Sequence, residues 1–182
     1  MLINLDNCKD DVVIVGADGD ICHKYVFYGK LEENHLPSYR IVIDDCFGGN
    51  SGIEIDFSKH NAIQRMASIL NKKDIYLTSI TGGLNENDVA TSCEVILHTR
   101  MNVEKMFVGI PVQIENMDNM ISFSKEDTEE IIKEILVLPS GFISENHATA
   151  NLGKITTTEN QVEIYSIVRS REEDELESIC LQ

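Results

Sequence analysis

The feature that most constrains this chain is a series of short runs rich in β-branched and aromatic residues, several of which follow one another with no helical pattern between them. Asp11-Val-Val-Ile-Val-Gly16, Lys24-Tyr-Val-Phe-Tyr-Gly29, Tyr39-Arg-Ile-Val-Ile43, Ile75-Tyr-Leu-Thr-Ser-Ile80, Ser92-Cys-Glu-Val-Ile-Leu-His98 and Val162-Glu-Ile-Tyr-Ser-Ile-Val168 read as strands. Adjacent parallel strands need a long crossover, so a sheet built from these runs must be largely antiparallel. Its apolar face then needs a second layer. The predicted fold class is α+β: a two-layer sandwich of a largely antiparallel sheet with helices on one face. Within Val162 to Val168 both alternating sets are partly apolar, which predicts a central strand covered on both faces.

Three segments carry helical spacing. The first runs from about Ser58, the expected N-cap, to Leu70, with Ala62, Ile63, Met66, Ile69 and Leu70 on one face. The second opens at Ser124-Lys-Glu-Asp127, a Ser-x-x-Asp capping pattern, buries Ile131, Ile132, Ile135 and Leu136, and stops at Pro139 and Gly141. The third opens at Ser170-Arg-Glu-Glu173 and carries Leu176, Ile179 and Cys180 toward Gln182. Between Met101 and Asn119 the pattern is least legible, and Met101, Met106, Met117 and Met120 are read as gap-filling core or interface residues rather than ligands.

With 182 residues, of which 42% are hydrophobic and 25% charged, the chain is expected to form a single domain, residues 1–182, whose core needs no metal or disulfide staple. A formal charge of −16 argues against nucleic acid and anionic membranes as partners, because both demand cationic surface. The five cysteines, Cys8, Cys22, Cys46, Cys93 and Cys180, form no C-x-x-C pair, which fits a reducing compartment. No signal peptide or membrane-spanning run is legible, so a soluble, cytoplasmic protein is expected.

The histidines, His23, His35, His60, His98 and His147, show none of the local spacings that present two ligands to one metal. Ala17-Asp-Gly-Asp20 lacks the spacing of a calcium loop and reads as a plain turn. One segment stands above this background. Gly48-Gly-Asn-Ser-Gly52 lies between a strand pattern and the first helix, where its glycines and exposed N–H groups suit either a structural turn or an anion cradle.

That loop extends into Gly48-Gly-Asn-Ser-Gly-Ile-Glu-Ile-Asp56, and is followed by Asn61-Ala62 and by Thr81-Gly-Gly-Leu-Asn-Glu-Asn87. In this order the stretches resemble the lid, or dimerisation, domain of bacterial aminoacyl-histidine dipeptidases, carnosinase-like members of the zinc metallopeptidase family of peptidase T and carboxypeptidase G. The family's versions read GGHSG-x-DI, R-G-NA and GG-x-x-x-NAIP. Met1-Leu-Ile-Asn-Leu-Asp6, Leu138-Pro-Ser-Gly141, Asn151-Leu-Gly153, Thr156-Thr-Thr-Glu159 and Val168-Arg-Ser170 are similar to its LINLD, LPNG, NLG, TTEE and VRSS.

The resemblance implies a parent that hydrolyses Xaa-His-type dipeptides with water activated by two zinc or other divalent ions. It also implies that the metal-binding catalytic domain is absent here, since its H-x-D-x-V and D-E-E motifs do not occur. Asp6 alone matches a metal-ligand position, so this chain by itself is expected neither to hydrolyse dipeptides nor to hold a metal. Asn50 falls where the family places the histidine that stabilises the tetrahedral intermediate; an asparagine can donate a hydrogen bond to an oxyanion but cannot be cationic. Asn87 and Arg169 fall at substrate-binding positions, with Arg169 expected to hold a carboxylate or, in the plainer reading, to pair with Glu172 or Glu173. A homodimer through the lid is the implied assembly. The alternative function is a degenerate, non-enzymatic homologue that serves as a dimerisation or interaction module.

Overall fold

A computed structural model describes residues 19–44, 46, 48–49, 61–143, 148–172, 174, 176 and 179. The strands are β1 (Gly19–Tyr28), β2 (Leu31–Glu33), β3 (Ser38–Ile43), β4 (Tyr76–Gly82), β5 (Cys93–His98), β6 (Gln113–Met117), β7 (Ile121–Phe123), β8 (Gly141–Phe142), β9 (Thr149–Thr158) and β10 (Gln161–Ser170). The helices are α1 (Ala62–Leu70), α2 (Val103–Met106) and α3 (Lys125–Val137). The main sheet has the order β1-β10-β9-β4-β5-β3-β6, with β8 also paired to β9, while β2 and β7 form a separate ribbon. Every described pairing is antiparallel. The α+β sandwich expected from the sequence is the fold found.

Alternation along the strands decides what the helices cover. In β3 and β5 the set Ile41, Ile43, Cys93, Val95 and Leu97 is buried, and it packs in one core with Ala62, Ile63, Met66 and Leu70 of α1 and Ile131, Ile132 and Ile135 of α3. The intervening set lies on the open face. There Arg40 donates from Nε and Nη2 to Glu94 at 2.8 and 2.6 Å and from Nη1 to Glu115 at 3.1 Å. On β10 the core set is Val162 and Ile164, whereas Glu163 and Tyr165 turn outward into a polar cluster with Lys24. The strand therefore has neighbours on both edges, but cover on both faces holds only near Ile167, which is buried.

The first helix is capped by Asn61 rather than Ser58, which lies outside the described residues. Asn61 Oδ1 accepts from the N–H groups of Ile63 and Gln64, and its Nδ2 donates to the Leu152 carbonyl at 2.6 Å. One buried amide thus caps α1 and fastens it to β9. Ser124 caps α3 by accepting from Asp127 N–H at 3.1 Å, as its pattern predicts, but the box is not reciprocal: the Asp127 carboxylate takes the backbone N–H of Lys30 at 2.6 Å. Of the third predicted helix, Asp174, Leu176 and Ile179 are described as helical, and Leu176 is buried beside Ala150 and Val168.

Other differences have identifiable causes. Gly19 and Asp20, read as part of a turn, open β1, because pairing with Ser170 and Arg169 of β10 carries the strand past its apolar run. Met106 packs on the core, while Met101, Met117 and, just past the illegible segment, Met120 are at least one-third exposed. The predicted strand at Asp11 to Gly16 lies outside the described residues.

The sheet consists of two halves joined by a thin seam. Between β4 and β9 the only described backbone pair is Gly82 with Ile155. The Thr157 hydroxyl supplements it, donating to the Ile80 carbonyl at 3.0 Å and accepting from the Ile80 N–H at 2.9 Å.

Candidate functional site

The chain leaves β4 at this seam and turns through residues 83–88 across β9 at Asn151 to Gly153. Gly83 has φ +69°, and a Cβ there would lie 1.8 Å from the Gly153 carbonyl oxygen. Gly153 itself is the extra residue of a β-bulge in β9, since Tyr165 pairs with Lys154 and Ser166 with Leu152. A Cβ on Gly153 would sit 2.4 and 2.6 Å from the carbonyl oxygens of Glu86 and Asn85. Two glycines therefore let the turn rest directly on the strand backbone.

Side-chain amides hold the turn's shape. Asn85 Oδ1 accepts from Asn87 N–H at 2.9 Å, and Asn85 Nδ2 donates to Asp88 at 2.6 Å. Buried Asn151 of β9 donates from Nδ2 to the carbonyls of Glu86 and Asp88 at 3.1 and 2.9 Å. The turn presents Asn87 at the surface, where its Oδ1 accepts from Arg169 Nη2 at 2.9 Å. Two residues separated by 82 positions thus meet at one end of the sheet.

The glycine loop reaches the same region. Gly49 O accepts from Val89 N–H at 3.0 Å, and Cys46 N–H reaches the Thr91 carbonyl at 3.3 Å. Gly48, Gly49, Leu84, Asp88 and Thr91 line a concavity of about 250 Å³ whose rim includes the strongly exposed Leu84. Asn50, next to Gly49, and the candidate metal ligand Asp6 lie outside the described residues.

Arg169 has a guanidinium fork with five N–H donors, suited to a carboxylate, and Asn87 offers both an acceptor and a donor. Other titratable groups have structural roles. His98 is buried with Nδ1 3.0 Å from the Leu36 carbonyl, an arrangement that fixes Nδ1 as the protonated nitrogen. Burial pushes the Cys93 thiol far above the ordinary range, which makes it a poor nucleophile. Arg65 Nη1 lies 3.7 Å from Cys46 Sγ.

Among the described residues no group of three or more His, Cys, Asp or Glu side chains converges as metal ligands. The described residues do not supply a two-metal site. Among them, too, no helix is long and apolar enough to cross a membrane.

No protein-family model and no curated protein matches the sequence. Among solved structures, the crystal structure of aminoacylhistidine dipeptidase from Vibrio alginolyticus superposes with a TM-score of 0.76 at 19% sequence identity, covering 91% of this chain. The chain has the fold of part of that enzyme. It spans 42% of the enzyme's length, so the shared fold is that of a portion of the dipeptidase.

Asn85, Asn151, Gly83 and Gly153 have no place among the site residues chosen from sequence. The signal at Asn151 and Gly153 is a glycine just before the β-branched run Ile155-Thr-Thr-Thr158, where a bulge or a close backbone approach is the usual reason.

Proposed function

We propose that this chain is the lid and dimerisation portion of a metal-dependent dipeptidase that cleaves Xaa-His-type dipeptides. The observation that carries the reading is the hydrogen bond from Arg169 to Asn87, because it joins two positions selected for substrate contact from distant stretches of sequence. In this reading Arg169 holds the substrate carboxylate through its guanidinium, and the Asn87 side chain orients both the guanidinium and the peptide. Asn50 is assigned as the oxyanion donor of the neighbouring loop. A divalent-metal pair in such a parent would supply the activated water, with ligands held mainly by a catalytic domain outside this chain.

Pairing of two copies through the lid belongs to the same reading. Strand β1 occupies one edge of the described sheet, runs for ten residues and exposes Tyr25, Val26 and Tyr28. Such an edge supports β-addition. A second reading, a non-enzymatic interaction module, is favoured by the asparagine at position 50, which cannot carry the charge of the histidine in the related family.

The test compares binding of alanyl-histidine with that of alanyl-histidinamide, which lacks the carboxylate. The wild-type chain should prefer the acid, and Arg169→Met should bind both equally. Equal binding of the two by the wild type would remove the carboxylate role.

A further inference from the structure

The turn that presents Asn87 is held by an unusual arrangement. Asn151 is 1% exposed, and its single Nδ2 serves two acceptors, the carbonyls of Glu86 and Asp88, which flank Asn87 on either side. Because both partners are carbonyl oxygens, the nitrogen of the amide must face them; the flipped amide would set oxygen against oxygen. Asn151 Oδ1 is buried with no described hydrogen-bond partner. Burying an acceptor in this way costs free energy, so the donor side of the amide must be valuable.

We infer that Asn151 is a positioning residue: by clamping the backbone on both sides of Asn87, it presents the Asn87 side chain to Arg169. This role rests on the reading of Asn87 and Arg169 as the substrate-binding pair. Three features of the geometry converge on it. Gly153, two residues along β9, lets the Asn85 and Glu86 carbonyls approach to distances that no Cβ would permit. Asn85 closes the turn from within by accepting the Asn87 N–H. Thr149, two residues before Asn151, pairs across the ladder with Arg169, so β9 is the rigid element against which both members of the pair are referenced. The clamp thereby explains why an Asn and a Gly, both poor strand formers, occupy the middle of a long strand.

Nuclear magnetic resonance on the full chain tests the clamp in two ways. In the wild type, both Asn151 Nδ2 protons should exchange with solvent at least about tenfold more slowly than those of exposed Asn116. Ordinary exchange would overturn the proposal even if no variant folds. In Asn151→Leu, which keeps the approximate volume but removes both donors, the Arg169 guanidinium and Asn87 side-chain amide signals should move to solvent-like positions within the folded population. A merely structural role would lower the unfolding midpoint and leave those signals in place, and that result would sink the inference. Titration of the wild type with alanyl-histidine separates the two readings: slow Asn151 exchange with no response at Asn87 or Arg169 supports the clamp and removes the substrate role.

Discussion

The two halves of the sheet are organised by different physics. In β3, β4, β5 and β6 the inward set is aliphatic, α1 and α3 lie behind it, and Ile41, Ile43, Leu77, Val95 and Leu97 are fully buried. In β9 and β10 the core continues through Leu152, Ile155, Val162 and Ile164, but Thr149, Asn151, Ser166 and Ser170 are also buried. The first half is held by apolar area, which tolerates substitution of similar volume. The second depends on hydrogen-bond geometry and on glycines without room for a side chain. The Arg169 and Asn87 pair joins the halves, one residue on β10 and the other on the turn leaving β4.

Substitutions that remove area should cost the most. Leu97→Ala is expected to destabilise the chain by about 2–5 kcal/mol, read from the urea midpoint, while leaving the signals of residues 83–88 near their wild-type positions once folded. Gly153→Ala should cost about 1–3 kcal/mol, because its Cβ meets backbone oxygens that cannot rotate away. Unlike Leu97→Ala, it should also displace Asn85 to Asn87. A core substitution that disturbed the turn as much as Gly153→Ala would erase the distinction between the halves.

Asn61→Ala probes the junction from the helix side. Loss of the cap is expected to cost about 0.5–2 kcal/mol, with the Leu152 carbonyl left unpaired in addition. A cost near zero would mean that α1 is held to β9 by apolar contact alone.

The smallest effect belongs to the open face. A hydrogen bond from Lys24 and a second from the Tyr165 hydroxyl hold the Glu163 carboxyl below its usual range, and Glu163 in turn raises Lys24. A depressed carboxyl stabilises the fold fully above its unfolded value of about 4.3 and loses that contribution as pH falls through its lower folded value. The raised lysine contributes below about 10.4 and loses its contribution as pH rises through the higher folded value. Glu163→Gln should therefore flatten the acid limb of the stability profile and lower stability slightly at neutral pH, an effect reduced by salt because both groups reach solvent. An unchanged acid limb would show that the cluster is screened out.

The same division governs what the sequence reveals. Tyr39 to Ile43, Ser92 to His98 and the α3 stripe are legible because burial of one face imposes a period. The strand β9 is not, although its Asn-Leu-Gly and Thr-Thr-Thr stretches are recognisable as family-like: Asn151 and Gly153 signal turns locally, and only the bulge and the clamped loop explain them. The cap of α1 is misplaced for a related reason. Ser58 and Asn61 are both good caps by type, and the choice depends on the Leu152 carbonyl, 91 positions away. Asn87 and Arg169 were legible only through resemblance, since neither has a local motif.

The most direct test of the central claim, that the end of the sheet carrying Arg169 and Asn87 is a dipeptide-facing surface, is a chemical-shift titration. The isotope-labelled chain is followed as alanyl-histidine is added into the millimolar range. The Asn87 side-chain amide, the Arg169 guanidinium and the Gly49 amide are expected to move together along one saturable curve. Saturable movement confined to the open face around Arg40 or Tyr165, with Asn87 and Arg169 unmoved, would contradict the claim.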